Sequence, residues 1–162
     1  MNVRETYECL KGALSGDVRM NESMARHTTF RIGGPADLFI TCDTLADLSH
    51  SLHVLAESGA EWTVVGKGSN LLVADGGYRG AVIVLGREFK AHSVQGAEIK
   101  AGAACVLAYV VRDAFSRGLA GMEFAVGIPG TVGGALAMNA GTRGDWMQSV
   151  VESVTVYIPA RG

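Results

Sequence analysis

The sequence has little proline, little cysteine and almost no charge excess. Its 162 residues hold three prolines and three cysteines, with a net charge of −2. Cys9, Cys42 and Cys105 are odd in number and widely spaced, and they form no CxxC pair. That argues against a disulfide framework and fits a reducing cytosol, with the three thiols expected as small apolar fillers. The near balance of charge lacks the electrostatic footprint of a nucleic-acid binder. The segment Met1 to Gly12 is polar and has no apolar signal-peptide core. Ala125 to Thr142 runs 18 residues without a charge, near the length of a membrane span. It contains Pro129, Asn139 and five glycines, and few large apolar side chains. It is read as buried backbone near a ligand. Disorder is excluded as well, because 48% of the residues are apolar and only 19% charged.

What the chain does have is glycine. The count is 22, about 14% and roughly twice the usual share. The glycines lack the every-third spacing of collagen and form no low-complexity tract. Glycine costs stability inside helices and strands, so this excess implies tight turns or backbone pressed against a ligand.

Hydrophobic spacing gives a coarse order of elements. Val3, Tyr7, Leu10 and Leu14 predict a helix stopped by Gly16. Val18 to Phe30 is expected to be extended or irregular. Ala36 to Thr41 reads as a buried strand. Thr44 and Asp47 stand in a near capping-box arrangement before a Leu45, Leu48, Leu52 and Leu55 stripe, which Gly59 ends. Trp62 to Val65, Leu71 to Val73 and Ala81 to Leu85 read as strands. This first half has the order of an α/β unit. Short strands over His92 to Val94 and Ala97 to Ala101 flank a Gln95-Gly96 turn. Leu107, Val110, Val111, Ala114 and Phe115 predict a second helix, ended by Gly118. Val150, Val154, Val156 and Ile158 alternate as a strand does. That strand runs into the turn residues Pro159 to Gly162 with no partner after them, so the chain is expected to stop mid-fold. A subdomain boundary is expected near Gly86 to Glu88.

Three constellations carry possible chemistry. In the first, a strand ends and Gly66-Lys67-Gly68-Ser69-Asn70-Leu71 follows. Successive backbone N–H groups in such a turn can form an anion nest suited to a diphosphate; a plain tight turn is the alternative. Two standard phosphate motifs fail. A Walker loop needs Ser or Thr where Gly68 stands and glycine where Glu61 stands, and the dinucleotide fingerprint needs glycine at Leu71. The second is Gly127-Ile128-Pro129-Gly130-Thr131-Val132-Gly133-Gly134-Ala135, continuing through Asn139 to Gly141. Glycines at 127, 130 and 133 clear one side of the backbone, as a wall for a large planar ligand would; close packing of two backbone segments is the alternative. The third is Arg26 to Pro35, in which Arg31 could hold an anion or simply lie at the surface. His50 and His53 lie off the leucine stripe and are expected on a solvated face, with no metal site. Glu123 is read as helix-end structure. No Ser/His/Asp or Cys/His set has recognisable spacing.

Taken together, HTTFRIGGPAD (His27 to Asp37), VVGKGSNLLVAD (Val64 to Asp75) and GMEFAVGIPGTVGGALAMNAG (Gly121 to Gly141) resemble the UDP-N-acetylenolpyruvoylglucosamine reductase family. Each piece also echoes the wider vanillyl-alcohol-oxidase-like, PCMH-type flavoprotein fold. The resemblance implies an α+β, PCMH-type FAD-binding domain of two α+β subdomains, residues 1–86 and 87–162, the second incomplete and the substrate-binding domain absent. It implies FAD as cofactor, with Gly66 to Leu71 on the pyrophosphate. Gly127, Ile128, Pro129, Gly130, Thr131, Gly133, Gly134, Ala135, Asn139 and Gly141 would flank the flavin. It implies NADPH as hydride donor, a UDP-sugar substrate and a cytoplasmic parent enzyme, with no nucleic-acid or membrane partner. The family's catalytic arginine, serine and glutamate have no match within residues 1–162, so these residues alone are expected to be inactive. Arg143 stands where the family commonly has tyrosine. Another FAD-linked oxidase of the same fold, or a non-catalytic flavin-binding module, stays open.

Overall fold

The computed structural model describes residues 1–142 and 144–159. Arg143 and Ala160 to Gly162, where the sequence suggested a turn, lie outside the described residues. The chain divides into two compact units, Met1–Glu88 with Pro159, and Phe89–Ile158.

The first unit is a mixed sheet with helices on one face. Its elements are α1 (Val3–Leu10), β1 (Asp17–Ser23), β2 (Pro35–Cys42), α2 (Leu45–Ser58), β3 (Trp62–Val64) and β4 (Tyr78–Leu85). The sheet order is β1-β2-β4-β3. β1 is antiparallel to β2, while β2 and β3 both run parallel to β4. Both helices start on reciprocal caps. Asn2 accepts from the Glu5 N–H at 2.9 Å, and the Glu5 carboxylate accepts from the Asn2 N–H at 3.0 Å. Thr44 and Asp47 repeat the arrangement on α2, and Gly59 closes that helix in the left-handed region at φ +68°. Such caps satisfy N–H groups that the helix itself cannot. Leu48, Leu52 and Leu55 are buried as the stripe predicts, but Leu45 is exposed. The first helix ends at Leu10, short of the expected Gly16 stop, and Cys9 on it is exposed rather than a filler.

The two faces of the sheet are covered differently. The Cys42 sulfur lies 3.6 Å from the Ser51 hydroxyl of α2, which places that side of β2 under the helices. On the other side Met24, Ala36, Phe39, Val65 and Val82 form a core cluster, with Leu71 and Val73 packed against it. This explains why Leu71 to Val73 is not the expected strand. Its alternation half-buries Leu71 and Val73 and leaves Leu72 70% exposed, yet the segment joins no ladder. It packs on the sheet as a loop.

The second unit holds β5 (His92–Gln95), β6 (Glu98–Ala101), α3 (Leu107–Ser116), α4 (Val132–Ala137), β7 (Gly141–Thr142) and β8 (Asp145–Trp146). β5 and β6 pair as an antiparallel hairpin, as do β7 and β8. Leu107, Val110 and Val111 of α3 pack with Cys105, Phe124, Ala125, Val132, Ala135 and Met147. Phe115, expected on the same stripe, is exposed. Val150 to Ile158 is not a strand. Val154, Val156 and Ile158 are exposed, Ile158 by 79%, and no described strand pairs with the segment. The alternation marks a pleat that could pair; a ladder also needs a partner.

Candidate functional site

In the first unit, two of the three constellations come together. The loop after β3 leaves Val65, whose N–H donates to the Ile83 carbonyl at 2.9 Å. It then turns at Gly68, which is buried and has φ +62°. A Cβ at Gly68 would fall on the carbonyl of His27, beside the Thr28 Cα. The contact is reinforced by the Thr29 N–H, which donates to the Gly68 carbonyl at 3.1 Å. Further along, the Gly34 N–H donates to the Ala74 carbonyl at 3.0 Å. The segments containing HTTFRIGG and GKGSNLL are therefore a single built surface, although nearly 40 residues separate them in sequence.

The chemistry of that surface suits an anion. No described protein group accepts from the N–H of Gly66, Lys67, Gly68, Asn70 or Leu71. Gly68 is buried and Leu71 half-buried, while Gly66, Lys67 and Asn70 are exposed; successive main-chain donors of this kind can make an anion-binding concavity open to a ligand. Lys67 is exposed and has no acidic partner among the described residues. These residues fit the diphosphate of a dinucleotide. Arg31 is exposed, with φ +56°, and its N–H donates to the Thr28 carbonyl.

On β1, next to His27, Glu22 is only 7% exposed. Its carboxylate lies 2.9 Å from His27 Nε2, 3.4 Å from Arg19 and 3.7 Å from Arg26. The His27 hydrogen bond, helped by both guanidinium charges, holds the Glu22 carboxyl below the usual carboxylate range despite its burial. The His27 ring also stacks on Phe39, with centroids 4.0 Å apart.

The glycine wall in the second unit is not bare backbone throughout. It contains α4, capped by Thr131, whose hydroxyl accepts from the Gly134 N–H at 3.2 Å. Gly133 meets the Ala103 backbone closely and donates to its carbonyl at 2.8 Å. Gly141 packs on Asp145 and Trp146 in the hairpin. Asn139 does not stand alone: its side chain donates to Gln148 Oε1 at 3.1 Å and accepts from the Gln148 N–H at 3.0 Å. Gly127 is exposed, and the N–H groups of Gly127 and Gly130 have no described protein acceptor. Ile128 is half-buried against the core cluster and Ala135 is part of it. Pro129 lies exposed between Ile128 and Gly130.

One arrangement escaped the sequence reading. Cys105 Sγ lies 3.6 Å from His92 Nδ1, and His92 Nε2 lies 3.2 Å from Asp113. These three residues form a Cys–His–Asp line, but the thiol is 2% exposed and burial pushes its pKa up. The sulfur stays a protonated packing group rather than a nucleophile. His50 and His53 are exposed on α2, and no metal-binding group of three His, Cys, Asp or Glu occurs among the described residues. Glu123 accepts from the Gly121 N–H at 2.8 Å, a local turn contact. No helix among the described residues is long and apolar enough to cross a membrane.

Residues 36–162 match the family described as FAD binding domain. The chain belongs to the FAD binding domain family. This FAD-binding domain is also similar to two curated proteins named UDP-N-acetylenolpyruvoylglucosamine reductase. That of Halalkalibacterium halodurans is 40% identical over 157 residues, covering 97% of this chain and 52% of the relative. That of Heliobacterium modesticaldum is 49% identical, covering 87% of this chain and 45% of the relative. The crystal structure of UDP-N-acetylenolpyruvylglucosamine reductase from Thermus caldophilus superposes with a TM-score of 0.72 at 37% identity. It covers 85% of this chain and 47% of that one. The domain thus shares the mixed helix-and-strand, α+β fold of that structure over the matched region. The chain spans about half the length of the curated relatives it matches.

Proposed function

We propose that this domain is the FAD-binding portion of a cytoplasmic, NADPH-dependent reductase of peptidoglycan synthesis. The whole enzyme would convert UDP-N-acetylglucosamine enolpyruvate to UDP-N-acetylmuramate. The family match over residues 36–162 carries the FAD assignment, and the unpartnered N–H groups at Gly66, Lys67, Gly68, Asn70 and Leu71, beside His27, offer a place for its diphosphate. The names of the relatives supply the reaction.

The loop amides and Lys67 hold the diphosphate, with Ser69 within the same turn. The open face at Gly127, with Ile128, Pro129 and Gly130, takes the flavin nucleotide. Thr131, Gly133, Gly134, Ala135, Asn139 and Gly141 keep that segment in shape through the contacts described above. When bound, FAD supplies the two-electron chemistry that carries hydride from NADPH to the enolpyruvyl double bond. We assign no proton donor among residues 1–162, so a polypeptide of these residues binds FAD without completing the reaction. Purification followed by an absorbance spectrum and FAD titration tests the binding. Stoichiometric flavin bands are expected; a colourless protein that takes up no added FAD overturns the reading. NADPH-dependent reduction of the UDP-enolpyruvyl sugar by the same polypeptide contradicts the second half.

A further inference from the structure

We propose that Glu22 is a positioning residue for the diphosphate loop, acting through His27. The inference rests on the FAD reading above and extends it to residues that do not touch the ligand. His27 is fixed on two sides. Its ring edge meets the buried Glu22 carboxylate at 2.9 Å, and its ring face stacks on Phe39 of β2. A carboxylate only accepts, so the proton on that bond sits on His27 Nε2. The ring is thereby held in one orientation. The backbone of the same residue forms the seat of the loop, because the His27 carbonyl occupies the space beside Gly68 that any side chain there would need.

Two further bonds lock the seat. The Thr29 N–H donates to the Gly68 carbonyl at 3.1 Å, and the Thr28 hydroxyl donates to the Ile32 carbonyl at 2.9 Å. A path of direct contacts therefore runs from Glu22 to His27 to Gly68, and the unpartnered amides lie on either side of Gly68. Arg19 and Arg26 complete the environment of the carboxylate, and Asp17 sits behind Arg19 at 2.6 Å. Both guanidinium groups are more than half exposed. Removing Glu22 leaves them in water, whereas His27 loses the bond that orients it. The effect of the substitution is thus directed at the loop.

The test uses the 162-residue chain, with adenosine diphosphate as a probe of the diphosphate site alongside FAD. Dissociation constants are measured by calorimetry well below the melting transition, for wild type, Glu22→Ala and Glu22→Gln. Amide exchange is followed without ligand. Glu22→Ala is expected to weaken ADP and FAD by about tenfold or more and to speed exchange at residues 66–71. Glu22→Gln keeps an acceptor for His27 and is expected to recover much of that loss. Asp47→Asn, which weakens the unit on its helical face, is expected to lower the melting temperature without moving either constant. Equal ADP and FAD binding by wild type and both Glu22 variants overturns the positioning role while leaving the FAD reading intact. Wild type that binds neither probe overturns both. A loss at Asp47→Asn matching that at Glu22→Ala also overturns it, since general destabilisation then accounts for the effect.

Discussion

Gly68 is the point where backbone conformation and ligand binding are most tightly joined. Replacing it with alanine has two separable costs. The first is the left-handed backbone at φ +62°, which an L-residue adopts at about 1–2 kcal/mol. The second is steric. The new Cβ falls on the His27 carbonyl, a backbone atom that cannot rotate away, and overpacking of this kind costs typically about 1–3 kcal/mol. Gly59 supplies a matched control. It has nearly the same angle, φ +68°, yet a Cβ there meets nothing within 4 Å. Gly59→Ala should therefore show the backbone cost alone. At about 2–4 °C per kcal/mol for a chain of this size, that is a fall of about 2–8 °C in melting temperature. Gly68→Ala should fall further, or relieve the clash by shifting the loop. In either case FAD affinity should drop at least tenfold, about 1.4 kcal/mol. Gly59→Ala should keep it. Differential scanning fluorimetry and flavin-fluorescence titration on the two variants give both numbers. Equal melting temperatures and equal FAD affinities for the two would refute the seating of Gly68 on His27.

Other outcomes follow from the same contacts. Burial pushes the Asp47 carboxyl up, but N–H groups from Ser15, Asp43 and Thr44, with the Thr44 hydroxyl, outweigh it and hold the pKa below the ordinary value. A folded pKa below the unfolded one means that this stability is fully present above the usual carboxylate range and is lost as pH falls through the depressed value. The stability gap between wild type and Asp47→Asn, measured by urea unfolding, should be about 1–3 kcal/mol at neutral pH and shrink in acid. Thr131→Ala removes the cap of α4 and should cost about 0.5–2 kcal/mol by the same assay. Titration with a thiol reagent should label one cysteine in the folded chain, Cys9, and all three in denaturant, because Cys42 and Cys105 are buried with raised pKa values. Rapid labelling of Cys105 in the folded chain would contradict the inert reading of its His92 contact.

How much was legible in the sequence depended on whether the signal was local. α2 could be read almost whole, since its Thr44 and Asp47 cap, its leucine stripe and its Gly59 stop all lie within sixteen residues. The β5–β6 hairpin was legible for the same reason: the Gln95-Gly96 turn separates two short runs in which polar and apolar residues alternate. Alternation misled at Leu71 to Val73 and at Val150 to Ile158, because it reports which side chains are buried or could be, not which strand supplies the hydrogen bonds. The short α4 was hidden by its glycines, whose low helix propensity is overridden by the Thr131 cap and by packing of Val132 and Ala135. Within the site, the composition of the Gly66 to Leu71 turn suggested an anion nest, but its seat did not show. The contact between His27 and Gly68 spans 41 positions, and Glu22 has no motif of its own. The line from Cys105 to His92 to Asp113 was invisible for the same reason.

The most direct test of the account is a nuclear magnetic resonance titration of the isotope-labelled chain with adenosine diphosphate. The account predicts that the largest amide shifts fall on Gly66, Lys67, Gly68, Asn70 and Leu71, the donors without a protein acceptor. Shifts confined to other segments, with these five amides unmoved at saturation, would contradict it.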